Sequence, residues 1–184
     1  MKKSKIFWRW ILGIFFVFDA FLGWMVASYY LPKFAPSDDH LISADKIVVE
    51  KALRKMTLYS KNDVVAIYDI SLGSAPDGHK VQKGDGRTPE GKYTISYKNE
   101  KSKYHFSLKI SYPSNQDILN ARKKQVNPGG DIMIHGYPNA MPDWIGDLFL
   151  KNKDWTDGCI AVSNKDIEQI WSYIKVDTPI EILP

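Results

Sequence analysis

The single cysteine of the chain, Cys159, directly follows a glycine within the segment Asp154–Asn164. A histidine, His135, ends the short apolar run that begins at Ile132. A cysteine becomes an effective nucleophile when a neighbouring imidazole takes its proton or pairs with its thiolate. We therefore interpret Cys159 as a nucleophile and His135 as its general acid–base partner. The alternative is that His135 is a core histidine whose hydrogen bonds are made within the protein and which has no catalytic role.

The glycines beside these two residues are expected to shape the backbone of the site. Gly158 allows a conformation that other residues avoid, and it leaves room for a substrate carbonyl beside the Gly158 and Cys159 N–H groups. These amides are predicted to form an oxyanion hole. Gly136 lets the chain turn after His135 and completes the backbone part of the site. No Asp or Asn is evidently placed to orient His135, which leaves a backbone carbonyl for that role.

Several residues next to the two motifs are candidates for substrate contact. On the cysteine side they are Trp155, Thr156 and Asp157, and on the histidine side Tyr137. Aromatic side chains here can line a substrate groove or simply pack the segment between the motifs, and both interpretations stay open.

The first residues of the chain are typical of a membrane anchor. Residues 1–9 are basic, and residues 10–31 are apolar apart from Asp19. As a helix, the apolar stretch reaches roughly 33 Å, close to the roughly 30 Å of a hydrocarbon core. We predict a cytoplasmic tail and an uncleaved signal anchor over residues 1–31, with a cleaved signal peptide as the alternative. The basic flank places the following domain outside the cytoplasmic membrane.

The charge of the chain argues against nucleic-acid binding. The formal net charge is +4, but four of the 25 Lys and Arg residues lie among the first nine residues. The remainder is nearly neutral, so no basic binding face is expected. A lone cysteine also excludes an internal disulfide.

The sequence of residues 44–184 predicts mostly β structure with few helices. A Pro-, Ser- and Asp-rich linker covers residues 32–43, and a single domain covers residues 44–184. Alternating polarity predicts strands at Lys46–Ala52, Lys55–Ser60, Asp63–Leu72, Lys92–Lys98, Tyr104–Tyr112, Asp131–Ile134 and Pro179–Leu183. Short helices are predicted at Asn115–Gln125, Trp144–Leu150 and Asn164–Lys175. The alternation favours a mostly antiparallel sheet or sandwich.

Three motifs in order resemble the L,D-transpeptidase catalytic-domain family (YkuD-like). That family combines His-Gly with a later Ser/Thr-x-Gly-Cys followed by a hydrophobic residue; here these are His135-Gly136 and Thr156-Asp157-Gly158-Cys159-Ile160. It also carries a Gly-x-x-x-Thr-Pro-x-Gly loop, here Gly84 to Gly91. The resemblance covers roughly residues 45–183.

The resemblance implies a β-sandwich-like fold, peptidoglycan stem peptides as partners, no cofactor and no metal. Cys159 would attack the carbonyl between the L-centre of a diamino acid and a D-residue. An amine or water would then resolve the acyl-enzyme, with His135 assisting both halves.

The sequence departs from the commoner family pattern after the cysteine. Many members have an Arg where this chain has Ala161, and Trp155-Thr156-Asp157-Gly158-Cys159-Ile160-Ala161 resembles the YafK-like branch instead. Arg87 is the candidate to replace the missing cation. For this branch, hydrolysis of a cross-link or of a protein attached to peptidoglycan is a rival to transpeptidation.

Two further alternatives belong to other functional classes. The first is an inactive wall-binding scaffold with a vestigial cysteine. The second is a metal site using His135, Cys159 and Asp157, which lacks the usual paired-ligand spacing.

Overall fold

The computed structural model describes residues 43–184. The predicted tail and membrane anchor, and nearly all of the predicted linker, lie outside the described residues. Within residues 43–184, no helix combines the length and apolar character needed to cross a membrane.

Residues 43–184 form eight strands and three short helices. The strands are β1 (Lys46–Glu50), β2 (Lys55–Ser60), β3 (Asp63–Asp69), β4 (Gly91–Asn99), β5 (Ser107–Ile110), β6 (Met133–His135), β7 (Ile160–Ala161) and β8 (Pro179–Leu183). The helices are α1 (Asn115–Lys123), α2 (Asp143–Phe149) and α3 (Asn164–Tyr173). The domain is therefore mostly β with a few short helices, as predicted. Strand β7, only two residues long, is not among the predicted elements.

The described strands form one curled sheet rather than two stacked ones, so the predicted sandwich is corrected. Its order is β3-β2-β1-β8-β4-β5-β6-β7, with parallel pairs at β1/β8 and β6/β7. Beyond β3, Ser71 exchanges two backbone hydrogen bonds of 2.8 Å with Ala161 of β7. This bridge joins the two edges of the sheet. Register shifts in the β2/β3 and β4/β5 pairs provide the bends that such curling needs.

Strand β5 is shorter than its alternating sequence predicts. His105 has a positive φ of 62°, which interrupts the extended backbone, so the strand begins only at Ser107. Leu108 and Ile110 are fully buried, as predicted, whereas Tyr104 is 39% exposed. Tyr104 therefore lies outside the strand and the core, and its ring packs beside His135 of β6.

Helix α3 supports the strand that carries His135. Ile167 and Ile170 are fully buried, and the helix packs against β5 and β6. Its N-cap is Ser163, whose hydroxyl accepts a hydrogen bond from the Asp166 N–H at 3.1 Å. This helix begins where predicted. Helix α1 begins at Asn115, as predicted, with Ser114 as its N-cap.

Candidate active site

The parallel pair β6/β7 brings the histidine and the cysteine together. His135 is the last residue of β6, and Cys159 immediately precedes β7. Ile134 pairs with Ile160, and both are fully buried in the core. Because successive side chains of a strand alternate between its faces, His135 and Cys159 lie on the face opposite to these isoleucines. Both residues line one cavity of about 590 Å³.

The imidazole of His135 is held in one tautomer by its own backbone. Its Nδ1 atom lies 2.7 Å from the carbonyl oxygen of Gly136. A carbonyl only accepts hydrogen bonds, so Nδ1 carries the proton, and Nε2 is the acceptor in the neutral ring. Burial lowers the pKa of His135, although the Gly136 carbonyl acts in the opposite direction. The ring is therefore neutral at neutral pH and ready to accept a proton.

Two aromatic side chains pack around the imidazole. The ring centroid of Tyr104 lies 4.6 Å from that of His135 at an interplanar angle of 40°. Trp155 approaches the same ring edge-on at 5.7 Å. Its indole Nε1 atom is buried and has no hydrogen-bond partner among the described residues. The two rings pack against His135, which is only 4% exposed.

The thiol of Cys159 is also uncharged in the resting protein. Its Sγ atom lies 3.6 Å from the carbonyl oxygen of Asp131. Burial raises the pKa of this thiol and outweighs the backbone N–H of Met133 and the charge of Lys80, which both favour the thiolate. The carboxylate of Asp157 raises the pKa further. A neutral thiol thus lies in the same cavity as a neutral imidazole, which suits proton transfer during attack.

A hydroxyl and a glycine shape the turn that presents the cysteine. Thr156 is buried, and its Oγ1 atom accepts a hydrogen bond from the Gly158 N–H at 3.1 Å and donates one to the Cys159 carbonyl at 2.8 Å. Gly158 has a φ of +124°, and the carbonyl of Arg87 occupies the space that a side chain would need. Position 158 thus excludes other residues both by conformation and by packing.

The amides of the two glycines in the predicted site, Gly158 and Gly136, already have hydrogen-bond partners in this structure. The Gly158 N–H donates to Thr156, and the Gly136 N–H donates to the carbonyl of Tyr104 at 3.1 Å. Their use for an oxyanion would require an exchange of partners. The observed role of Gly136 is instead to present its carbonyl to His135.

An ion pair between distant parts of the chain anchors the cysteine turn. Arg54 Nη2 lies 2.7 Å from Asp154 Oδ2, and Arg54 Nε also donates to this carboxylate. The Leu72 N–H donates to Asp154 Oδ1 at 2.9 Å, and the Leu72 carbonyl accepts from the Thr156 N–H at 3.2 Å. Sequence reasoning does not identify this anchor, because its partners are 100 residues apart.

A second cavity, of about 600 Å³, meets the first at Cys159. The two cavities share Asp131, Asp157 and Cys159. Among the residues that line the second cavity, three are lysines: Lys80, Lys83 and Lys109. The cysteine can therefore be approached from two sides.

Only some of the residues predicted to contact substrate line the two cavities. Trp155, Thr156 and Asp157 line the first cavity. Tyr137 lines neither cavity; it is buried, and its hydroxyl donates to Asp147 at 3.0 Å. Arg87 lines neither cavity, and its guanidinium extends beside Gly78. The structure therefore does not support substrate contact by Tyr137 or Arg87.

The other two histidines of the described region have different partners. His79 Nδ1 accepts a hydrogen bond from the Glu90 N–H, and His79 Nε2 lies 3.1 Å from Asp117 Oδ1. His105 Nε2 lies 2.7 Å from the carboxylate of Glu168 at the surface. Neither lines a cavity that contains Cys159.

A family model described as the L,D-transpeptidase catalytic domain (YkuD) matches residues 44–182. The chain belongs to this family. The match contains all residues of both cavities. No curated protein matches the chain.

Solved structures of the YkuD fold resemble this domain. Bd1075 from Bdellovibrio bacteriovorus is 26% identical, with a TM-score of 0.54 over 80% of this chain and 50% of that chain. The helical cell shape determining protein Pgp2 from Campylobacter jejuni is 22% identical, with a TM-score of 0.57 over 78% and 51%. An L,D-transpeptidase from Enterococcus faecium is 17% identical, with a TM-score of 0.50 over 77% and 50%. This chain thus spans about half the length of these proteins.

Proposed function

We propose that the domain is a cysteine-dependent peptidoglycan L,D-transpeptidase that remodels the cell wall. The observation that carries this proposal is that Cys159 and a tautomer-fixed His135 line one cavity, in a member of the YkuD family. Pgp2, a protein of the same fold, determines helical cell shape, which is consistent with action on the wall.

The first half of the proposed reaction forms an acyl-enzyme. The Cys159 thiol passes its proton to His135 Nε2 as its sulfur attacks the carbonyl between the L-centre of a diamino acid and a D-residue. The amide C–N bond then breaks, the imidazolium protonates the departing amine, and a thioester remains on Cys159. The neutral resting pair supports this order, because neither Cys159 nor His135 carries a charge before the substrate binds.

The second half transfers the acyl group. An amine of a second stem peptide gives a proton to His135 and attacks the thioester, and Cys159 leaves as a thiol after the proton returns. Two cavities that meet at Cys159 allow donor and acceptor to approach from different sides. Water in place of the amine makes the domain a hydrolase of cross-links or of protein attached to peptidoglycan. Hydrolysis remains part of the proposal because this chain has Ala161 where many family members have an Arg.

The proposed site of action is the outer face of the cytoplasmic membrane. Basic residues at 1–9 followed by the apolar stretch at 10–31 support a single-pass anchor with the catalytic domain outside. Fractionation of cells that express the full chain, with protease added to intact spheroplasts, tests this placement. Protection of the domain from protease would contradict it.

The proposed activity is tested by incubating the full chain, in detergent, with a disaccharide-tetrapeptide and its cross-linked dimer. Intact mass of protein and products is then measured. An adduct on Cys159 with new cross-links establishes a transpeptidase, whereas shortened peptides or separated dimers establish a hydrolase. Cys159→Ala should abolish the products, His135→Ala should strongly reduce them, and the surface variant His105→Ala should leave them unchanged. A folded wild-type protein without adduct or product would favour a non-catalytic scaffold.

A further inference from the structure

Two lysines of the domain are equally buried but differ in their partners. The side chains of Lys51 and Lys80 are both 3% exposed. The ammonium group of Lys51 donates to three acceptors: the carbonyls of Gly78 and Thr88 and the carboxylate of Glu90. Within residues 43–184, Lys80 has a single acceptor, Asp85 Oδ1 at 2.8 Å. An ammonium group has three N–H donors, so Lys80 retains two for a ligand.

Lys80 lies in the wall of the second cavity, together with Cys159. The loop around it is held by Asp85, whose carboxylate accepts hydrogen bonds from three backbone N–H groups: those of Val81, Gln82 and Arg87. Burial alone would raise the pKa of Asp85, but these hydrogen bonds and Lys80 lower it to about 2. Asp85 therefore remains charged and keeps the Lys80 stem in place at the cavity wall.

Of the three lysines that line the second cavity, only Lys80 is buried. Lys109 is engaged with Asp131 at 2.6 Å, and Lys83 is exposed to solvent. Asp157, at the junction of the two cavities, is also exposed. A carboxylate entering the cavity thus meets one desolvated ammonium group with free donors, which is the setting in which a charge-assisted hydrogen bond is strong.

We propose that Lys80 binds the free carboxylate of the D-residue that follows the scissile bond. This carboxylate is attached to the carbon that bears the scissile nitrogen, so it must lie close to Cys159 during attack. Many members of the family have an Arg at the position of Ala161. Lys80 would supply the positive charge that this chain lacks there. The inference rests on the proposed function, since it names the group that selects that substrate.

Binding to a chemically inert protein tests this role. In the full chain carrying Cys159→Ala, calorimetry measures the Kd of a tetrapeptide with a free terminal carboxylate and of the same peptide as its terminal amide. With Lys80 present, the carboxylate form should bind about tenfold tighter or more, as a hydrogen bond between charged groups implies. Lys80→Met should reduce this ratio to near one, and Lys80→Arg should retain most of it.

The controls separate a binding role from a structural one. Lys80→Met leaves Asp85 with its three backbone donors, so the loop keeps its anchor. Lys83→Met, on the same cavity, should leave the ratio unchanged. An unchanged ratio in Lys80→Met overturns the inference, and so does binding of neither peptide by the Cys159→Ala protein. Formation of an acyl adduct on wild-type Cys159 decides the proposed function separately.

Discussion

The Nδ1 atom of His135 lies 2.7 Å from the carbonyl oxygen of Gly136, the next residue in the chain. A backbone carbonyl thus orients the ring without a carboxylate that could stabilise an imidazolium ion. Positioning by the backbone leaves Nε2 as the hydrogen-bond acceptor of the neutral ring.

Replacement of His135 by Ala is expected to slow acylation of Cys159 by a factor of about 10² to 10⁴, the usual contribution of a general base. The rate of adduct formation with the tetrapeptide, followed by intact mass, measures this effect. His105→Ala, which alters an imidazole paired with Glu168 at the surface, should acylate at the wild-type rate. Wild-type acylation in His135→Ala would exclude the assigned role.

The pH dependence of Cys159 alkylation should reveal a protonated resting thiol. Burial raises the pKa of Cys159 and lowers that of His135, so thiol and imidazole are both neutral at pH 7. Alkylation by iodoacetamide should therefore increase with pH with a midpoint above about 8.5, the value of a free cysteine. Acylation by peptide should persist at neutral pH and fall only as the pH drops below about 6.5 and His135 becomes charged. An alkylation midpoint well below that of a free cysteine would indicate a preformed ion pair instead.

Gly158→Ala is expected to destabilise the domain by more than about 3 kcal/mol, because a strained φ combines with a clash against the Arg87 carbonyl. Gly84→Ala is the matched control, since Gly84 also has a positive φ, of 79°, but open space where the side chain would lie. It should cost only about 1 kcal/mol. Urea unfolding of both variants measures the difference, and equal losses would contradict the packing argument.

Thr156→Val should lower the free energy of unfolding by about 1–3 kcal/mol, because the buried Gly158 N–H loses its acceptor. Acylation of Cys159 should also slow, since the same hydroxyl holds the Cys159 carbonyl. Thr156→Ser keeps the hydroxyl and should stay within about 1 kcal/mol of wild type, the order of one lost methyl group. Urea unfolding and adduct formation measured together test both effects. A fully active Thr156→Val protein would limit the role of Thr156 to stability.

Some elements of the fold follow from local patterns, and others do not. The alternation of Leu108 and Ile110 predicts a buried strand, but the left-handed conformation of His105 shortens it. Strand β7 has only two residues, too few for any periodic pattern, yet its pairing with β6 places Cys159, the residue before β7, in the cavity that His135 lines. No local sequence pattern predicts the bridge between Ser71 and Ala161 either. This bridge joins the two edges of one curled sheet, whereas a sandwich was expected.

By itself, the sequence was enough to predict the candidate reactive groups and the family. A lone cysteine after glycine, and a histidine before glycine at the end of an apolar run, identify Cys159 and His135 by residue type and local order. The tertiary structure decided which side chains surround them. Arg87 and Lys80 occur in the same polar loop, but only Lys80 lines a cavity at the cysteine. The physical reason is that burial, ion pairs and strand register depend on contacts between distant segments, which local composition does not encode.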